Sequence, residues 1–218
     1  MPLYKSITIA DETHVLVWKI TESLEQLTDE IALKEVCRTR VDGMKSEQHR
    51  RGFLSVRKLL QEIGYTDFDL YYDSDGKPRL KDGKNISITH SYSFSAIIVS
   101  PHNVGIDMEM QREKVITIAD KFIEPEFEYL DPTHLTDYMQ RLIVIWGVKE
   151  ALFKMISREG MSFKQNMYVH PFTMQDSEGR ATVIFEDINR DFTFSFEEVA
   201  DFMLVYSLEH SNNLKYKP

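Results

Sequence analysis

A chain of 218 residues, 42% of them hydrophobic, is long enough for one large domain or two small ones and can fill a core. Its net charge of −9 argues against a nucleic-acid partner, which normally requires a basic surface. The sequence has no apolar run long enough to cross a membrane, and Met1–Lys5 lacks a secretory signal pattern, so we expect a cytoplasmic protein that does not bind membranes.

The first predicted elements are a strand and a helix. Residues 5–20 alternate towards an apolar end and predict an early strand. From about Lys45 to Ile63 the apolar residues recur at helical spacing, which predicts a helix ending at Gly64. Arg50 and Arg57, seven residues apart, are expected on one side of this helix, flanking its buried stripe.

A local excess of positive charge covers this helix. Between Lys34 and Lys58 eight basic side chains face three acidic ones, a balance of +5. A solvated helix face and an anion-binding site both explain such a cluster. The sequence alone leaves these two interpretations open.

Short β segments follow, separated by turns. Asp75-Gly76-Lys77-Pro78 and Lys81-Asp82-Gly83 have turn composition. Two extended runs, Ser93–Ser100 and Val104–Met110, are separated by three residues with Pro101 first, which predicts a β-hairpin.

The second half repeats the order of helix and strands. A helical stretch is predicted from Val115 to about Phe122, and a long helix from about Asp137 to Ser157. Three alternating segments, 181–186, 191–197 and 201–208, predict strands. We therefore predict an α+β fold of two similar lobes, although no convincing sequence repeat accompanies them.

Two acidic residues stand in the apolar segment Val104–Gln111. Because side chains alternate along a strand, Asp107 and Glu109 share one face and Met108 points to the other. Two close carboxylates repel each other unless a cation lies between them, and oxygen ligands suit Mg²⁺. The single cysteine, Cys37, excludes both an internal disulfide and a structural zinc site based on thiolates. The other interpretation is an exposed hairpin strand with an acidic outer face.

The long helix contributes a second charged pair. Glu150 and Lys154 are four residues apart and share a helix face with Trp146. An ordinary surface ion pair is one interpretation. The other is a site, because the helix is apolar almost all round and charged side chains in such a helix need partners.

Two further segments suit phosphate. Lys77 lies in the turn Gly76-Lys77-Pro78, and His90 ends a strand between Thr89 and Ser91. Hydroxyls, imidazole and backbone N–H groups at a strand end can hold a phosphate. Taken singly, each residue also fits a purely structural role.

In order and spacing, five segments resemble the 4′-phosphopantetheinyl transferase superfamily: "DGKP", "SITHS", "GIDME", "KFIEPEFEYL" and "WGVKEALFK". The resemblance runs from about Asp75 to Gly160, and the chain length is similar to the larger, surfactin-synthetase-activating type. It implies a monomer with two pseudo-twofold-related lobes, 1–103 and 104–218, each an antiparallel sheet packed with a long helix. The active site would lie between the lobes.

The resemblance also implies an activity, transfer of the phosphopantetheine arm of coenzyme A to a serine of an acyl or peptidyl carrier protein, with release of adenosine 3′,5′-bisphosphate. Asp107, Glu109 and Glu150 would bind Mg²⁺, and Asp107, Glu150 and Lys154 would form the catalytic set. Glu150 would be a metal ligand or the base, and Lys154 would stabilise charge. The residues implied in coenzyme A binding are Lys77, Thr89, His90, Arg50, Arg51 and Arg57.

One position departs from the family pattern. Family members often carry a glutamate where this chain has Phe127, so Glu126 or Glu128 would serve instead, or water would complete the metal shell. Two other functions stay open. One is a metal-dependent phosphohydrolase or nuclease, although Gln111 stands where a nuclease pattern wants lysine. The other is a non-catalytic relative that binds carrier proteins.

Overall fold

The computed structural model describes residues 3–9 and 12–209. Met1 and Pro2, on which the expectation about targeting partly rests, lie outside these ranges. The chain divides into two compact units, Met1–His102 and Asn103–Pro218. Within the described residues, no helix combines the length and the apolarity needed to cross a membrane.

Unit 1 is a mixed sheet-and-helix unit. Its described elements, in chain order, are β1 (Leu3–Ile9), β2 (Thr13–Lys19), α1 (Leu24–Glu30), α2 (Glu35–Gly43), α3 (Glu47–Glu62), β3 (Leu70–Tyr72), β4 (Pro78–Leu80), β5 (Asn85–Ser91) and β6 (Phe94–Ser100). The strands form one antiparallel sheet in the order β1-β2-β6-β5-β4-β3.

Helix α3 covers this sheet. The side chain of Ser46 accepts a hydrogen bond from the backbone N–H of His49 and so caps the first turn. Apolar residues at helical spacing then bury one face, on which Phe53, Val56 and Leu60 pack against β2, β5 and β6. The predicted helix from Lys45 to Ile63 is confirmed within two residues at each end.

Unit 2 repeats this combination. Its described elements are β7 (Val104–Met110), two 3₁₀ helices (Glu113–Lys121 and Pro125–Glu128), α4 (Leu135–Ile156), α5 (Phe163–Asn166), β8 (Met167–Val169), β9 (Glu178–Phe185), β10 (Ile188–Val199) and β11 (Phe202–Glu209). The strands form an antiparallel sheet in the order β7-β11-β10-β9-β8.

Helix α4 packs against β7 and β11 at very short range. A Cβ on Gly105 would lie 2.2 Å from the carbonyl oxygen of Ala151, and one on Gly147 would lie 2.8 Å from a methyl group of Val205. The absence of side chains at these two glycines therefore allows the helix and the strands to approach closely. This approach brings the charged residues of α4 over β7.

The predicted α+β fold with two antiparallel sheets packed against helices is confirmed. The pseudo-twofold relation, and the placement of an active site between the lobes, stay predictions.

Three local predictions need correction. Ser93–Ser100 and Val104–Met110 do not form a hairpin, because β6 pairs with β2 and β5 whereas β7 pairs with β11. Residues 5–20 form not one strand but the paired strands β1 and β2. The segment predicted as helix from Val115 to Phe122 is a 3₁₀ helix.

Candidate functional site

Asp107 and Glu109 point towards helix α4. They share a sheet face with Gly105, the residue that contacts Ala151 of that helix. Asp107 is only 4% exposed, and Glu109 is half-buried. The acidic face of β7 is therefore covered by the helix, contrary to the interpretation of an exposed hairpin strand.

Lys154 of α4 binds Asp107. Its Nζ donates hydrogen bonds to Oδ1 of Asp107 at 2.8 Å and to the carbonyl oxygen of Ile106 at 2.9 Å. The ion pair is partly shielded from water, so its attraction exceeds that of a surface pair. Lys154 thus places a fixed positive charge beside Asp107.

Trp146 of α4 contacts the second carboxylate. Its indole N–H donates a hydrogen bond to Oε1 of Glu109 at 3.3 Å. Trp146, Glu150 and Lys154 are spaced at four-residue intervals, so they lie on one face of α4. The helix therefore presents a donor, a carboxylate and a cation to β7.

The carboxylates influence each other electrostatically. Burial, followed by the negative charge of Asp107, raises the pKa of Glu109 to about 7, and the hydrogen bond from Trp146 opposes this rise. Burial, followed again by Asp107, raises the pKa of Glu150 above its ordinary value, and Lys154 opposes it. The acids lie within electrostatic reach of one another in a partly dehydrated environment.

The acidic side chains of β7 and α4 have the chemistry of a metal site but are not gathered into one. As the side chains stand, no three His, Cys, Asp or Glu residues of the described ranges form a cluster close enough to bind one. The chemistry of the donors nevertheless fits Mg²⁺, because Asp107, Glu109 and Glu150 offer oxygen ligands. A cation among them would also relieve the repulsion that raises the pKa of Glu109 and Glu150.

A half-open pocket of about 210 Å³ lies beside Glu109. Its wall is mostly apolar and carries two basic side chains; the lining residues are Glu109, Met110, Arg112, Lys114, Val115, Ile118, Ile143 and Trp146. Glu109 and Trp146 can therefore be reached by a small molecule from solvent.

Phe127 stands where family members often carry a glutamate, and its neighbours Glu126 and Glu128 have different environments. Glu126 is fully buried and pairs with Lys149 of α4 at 2.6 Å. Its carboxylate also accepts hydrogen bonds from the backbone N–H groups of Glu124 and Val169. These bonds occupy Glu126 within the core, so we do not assign it to the metal, whereas Glu128 is exposed.

In unit 1, His90 lies against the first turns of α3. A Cβ on Gly52 would lie 3.2 Å from the imidazole of His90, so this glycine allows the ring to pack on the helix. A polar pocket of about 270 Å³ opens there, lined by Gln48, His49, His90, Ser91 and Tyr92. The N-terminal end of a helix and two imidazoles favour an anion.

Two other predicted phosphate ligands of unit 1, Thr89 and Lys77, are less exposed to solvent than His90. Thr89 is buried. Lys77 is half-buried in the turn between β3 and β4, where its backbone N–H donates to Asp73, and burial lowers the pKa of its amino group. Gly76 before it has φ +76°, a conformation that glycine adopts without strain.

The three arginines of α3 have distinct positions. Arg57 is 1% exposed, and its guanidinium donates to Asp67 at 2.9 Å and to the carbonyl oxygen of Phe53 at 3.0 Å. The prediction that Arg57 binds phosphate does not fit this burial, and we leave Arg57 out of the proposed site. Arg50 and Arg51 are half-buried, and each donates to a backbone carbonyl, of Met44 and Ile20 respectively.

The sequence did not indicate two features of these sites, the position of His49 and the hydrogen bond from Trp146 to Glu109. His49, whose ring centre lies 6.3 Å from that of His90, was not assigned a role, although its place in the first turn of a helix capped by Ser46 is readable. The hydrogen bond from Trp146 to Glu109 joins residues 37 positions apart, and no local pattern indicates it.

The family match lies in unit 2. Residues 103–207 match the family model described as the 4′-phosphopantetheinyl transferase superfamily. This segment, which is similar to that superfamily, carries Asp107, Glu109, Glu150 and Lys154. The resemblance inferred from the five motifs is confirmed.

One curated relative is the 4′-phosphopantetheinyl transferase gsp of Aneurinibacillus migulanus. It is 29% identical over 121 residues, which are 54% of this chain and 51% of the relative. The match thus spans about half the length of that relative.

Proposed function

We propose that this protein transfers the 4′-phosphopantetheine arm of coenzyme A to a serine of an acyl or peptidyl carrier protein. The family match over residues 103–207 and the name of the relative support this activity. The observation that carries the proposal is the placement of Glu150 and Lys154 of α4 beside Asp107 and Glu109 of β7, within the matched segment.

We assign Mg²⁺ binding to Asp107, Glu109 and Glu150. When bound, Mg²⁺ would supply positive charge to the diphosphate of coenzyme A. Lys154 adds a second positive charge through an ammonium group already fixed against Asp107. Both charges offset the negative charge that grows on the phosphoryl and leaving-group oxygens.

Glu150 also suits a role as general base. The serine oxygen would form a bond to the phosphorus next to the pantetheine, and the bond from this phosphorus to the bridging oxygen would break. The serine proton passes to Glu150, and adenosine 3′,5′-bisphosphate leaves with the bridging oxygen. In the metal-free protein burial raises the pKa of Glu150, so this carboxylate accepts a proton more readily than an exposed one.

We assign the phosphates of coenzyme A to the pocket in unit 1. His90, with Thr89 before it, lies near the start of α3, and we add His49, which lines the same pocket with its ring centre 6.3 Å from that of His90. Arg50 and Arg51 follow His49 on this helix and add positive charge. Lys77 is proposed for the nucleotide end.

Intact-protein mass spectrometry tests the proposal. An apo acyl carrier protein and an apo peptidyl carrier domain would each be incubated with this protein, coenzyme A and Mg²⁺. The expected result is a mass gain of one phosphopantetheine arm on at least one carrier. Consumption of coenzyme A without a mass gain would contradict transfer and indicate hydrolysis.

A further inference from the structure

Trp146 and Glu109 meet through one directed contact. The indole N–H, which can only donate, points to Oε1 of Glu109 at 3.3 Å, and both side chains are half-buried. Shielding from water strengthens such a charge-assisted hydrogen bond. The contact connects helix α4 with strand β7 at the proposed metal site.

The indole is itself held by aromatic neighbours. Phe122 packs edge-on against it with ring centres 5.0 Å apart, and Phe163 lies at 5.5 Å. Phe122 is buried, so one side of the indole rests on a fixed wall. The direction of the N–H bond is therefore set by packing and not by Glu109 alone.

A glutamate side chain has three rotatable bonds, and most of its rotamers point away from a given ion. One N–H bond to a carboxylate oxygen restricts this freedom and still leaves lone pairs for a cation. Asp107 is restricted in a similar way by Lys154. Each acid of β7 thus has its own partner on α4.

We propose that Trp146 is a positioning residue, whose indole N–H orients Glu109 for binding the divalent cation. This role rests on the proposed function, because it presupposes that Glu109 is a metal ligand. Removing groups that orient a ligand typically weakens metal affinity or activity by about 10–100-fold.

The test separates the N–H group from the bulk of the ring. Trp146 would be replaced by β-(3-benzothienyl)alanine, which has sulfur in place of the N–H and nearly the same shape. Trp18 provides the matched control, because its indole N–H also donates to a glutamate, Glu22 of unit 1, at 3.2 Å. The same replacement there removes an equivalent bond outside the proposed metal site.

Two quantities would be measured for each protein. The first is the dissociation constant of Mn²⁺, a paramagnetic substitute for Mg²⁺, by electron paramagnetic resonance without coenzyme A. The second is the Mg²⁺ concentration that gives half-maximal transfer. We expect the Trp146 replacement to raise both by about 10-fold or more, and the Trp18 replacement to leave both unchanged.

Two outcomes would overturn the role of Trp146. If the benzothienylalanine variant at Trp146 binds Mn²⁺ like the wild type, the N–H group does not position Glu109. If the replacement at Trp18 weakens binding equally, the effect is not specific to Glu109. Failure of the wild type itself to bind Mn²⁺ would overturn the proposed metal site as well. Transfer by a wild type that binds the metal would uphold the proposed function, whether or not Trp146 positions Glu109.

Discussion

At the scale of single residues, the proposed site depends on charges that are held by the protein. Asp107 is nearly buried and bonded to Lys154, whereas Glu109 is bonded to Trp146. Charged groups in such surroundings interact over short distances with little screening by water. Single substitutions of these residues are therefore expected to lower activity much more than substitutions of exposed charged residues.

Asp107→Ala is expected to abolish measurable transfer. It removes one proposed metal ligand and leaves Lys154 without its carboxylate partner, although Lys154 retains the carbonyl oxygen of Ile106. The measurement is the initial rate of carrier modification, with circular dichroism to verify the fold. The exposed Asp131→Ala serves as the control. Full activity of the Asp107 variant would refute the metal-site assignment.

Lys154→Ala is expected to lower kcat by about 100-fold and to change KM for coenzyme A much less. A charge that acts mainly on the transition state contributes to turnover and not to ground-state binding. Steady-state kinetics with varied coenzyme A checks this, with the exposed Lys121→Ala as the control. A change confined to KM would instead identify Lys154 as a residue for substrate binding.

At the scale of elements, local sequence patterns predicted some features and missed others. Helices α3 and α4 were predicted because apolar periodicity and caps are local. The pairing of β7 with β11 was missed because Asp107 and its partner Val205 are nearly a hundred residues apart. Arg57 was placed beside the buried stripe, yet it lies four residues after Phe53 and three before Leu60, on the stripe itself.

Gly105→Ala is expected to destabilise unit 2 by about 3 kcal/mol. The new Cβ would lie 2.2 Å from the carbonyl oxygen of Ala151, and a helix backbone cannot yield as a side-chain end does. Chemical denaturation measures the loss. Gly43→Ala is the matched control, because nothing lies within 4 Å of its Cβ position. Equal stability of the two variants would show that α4 does not depend on this close approach.

The buried pair of Glu126 and Lys149 anchors the 3₁₀ segments to α4. Lys149 Nζ also donates to the carbonyl oxygen of Phe122 at 2.8 Å, and burial lowers its pKa while Glu126 opposes this. Removing one partner leaves the other charge buried, so Glu126→Gln or Lys149→Met alone should cost about 3–5 kcal/mol. The double variant should cost less than the sum of the two. Additive losses in a double-mutant cycle would contradict direct coupling.

At the scale of the whole molecule, the sequence predicted the α+β class and the similarity of residues 103–207 to a known family better than it predicted individual contacts. The five motifs extend from about Asp75 to Gly160, and the family match covers the three that lie within residues 103–207. Which side chains meet depends on packing between distant segments. The assignment of His49 and the exclusion of Arg57 required coordinates for this reason.

Metal removal should separate activity from folding. With EDTA in place of Mg²⁺ we expect transfer to stop while the protein stays folded, because Lys154 and Trp146 already hold Asp107 and Glu109 without a metal ion. Mg²⁺ at 100 times its dissociation constant should add about 2.7 kcal/mol to the free energy of unfolding. Differential scanning calorimetry measures this gain, and Asp107→Ala should lose it. Transfer that persists in EDTA would contradict the metal-dependent mechanism, and an equal gain in the Asp107 variant would place the bound ion elsewhere.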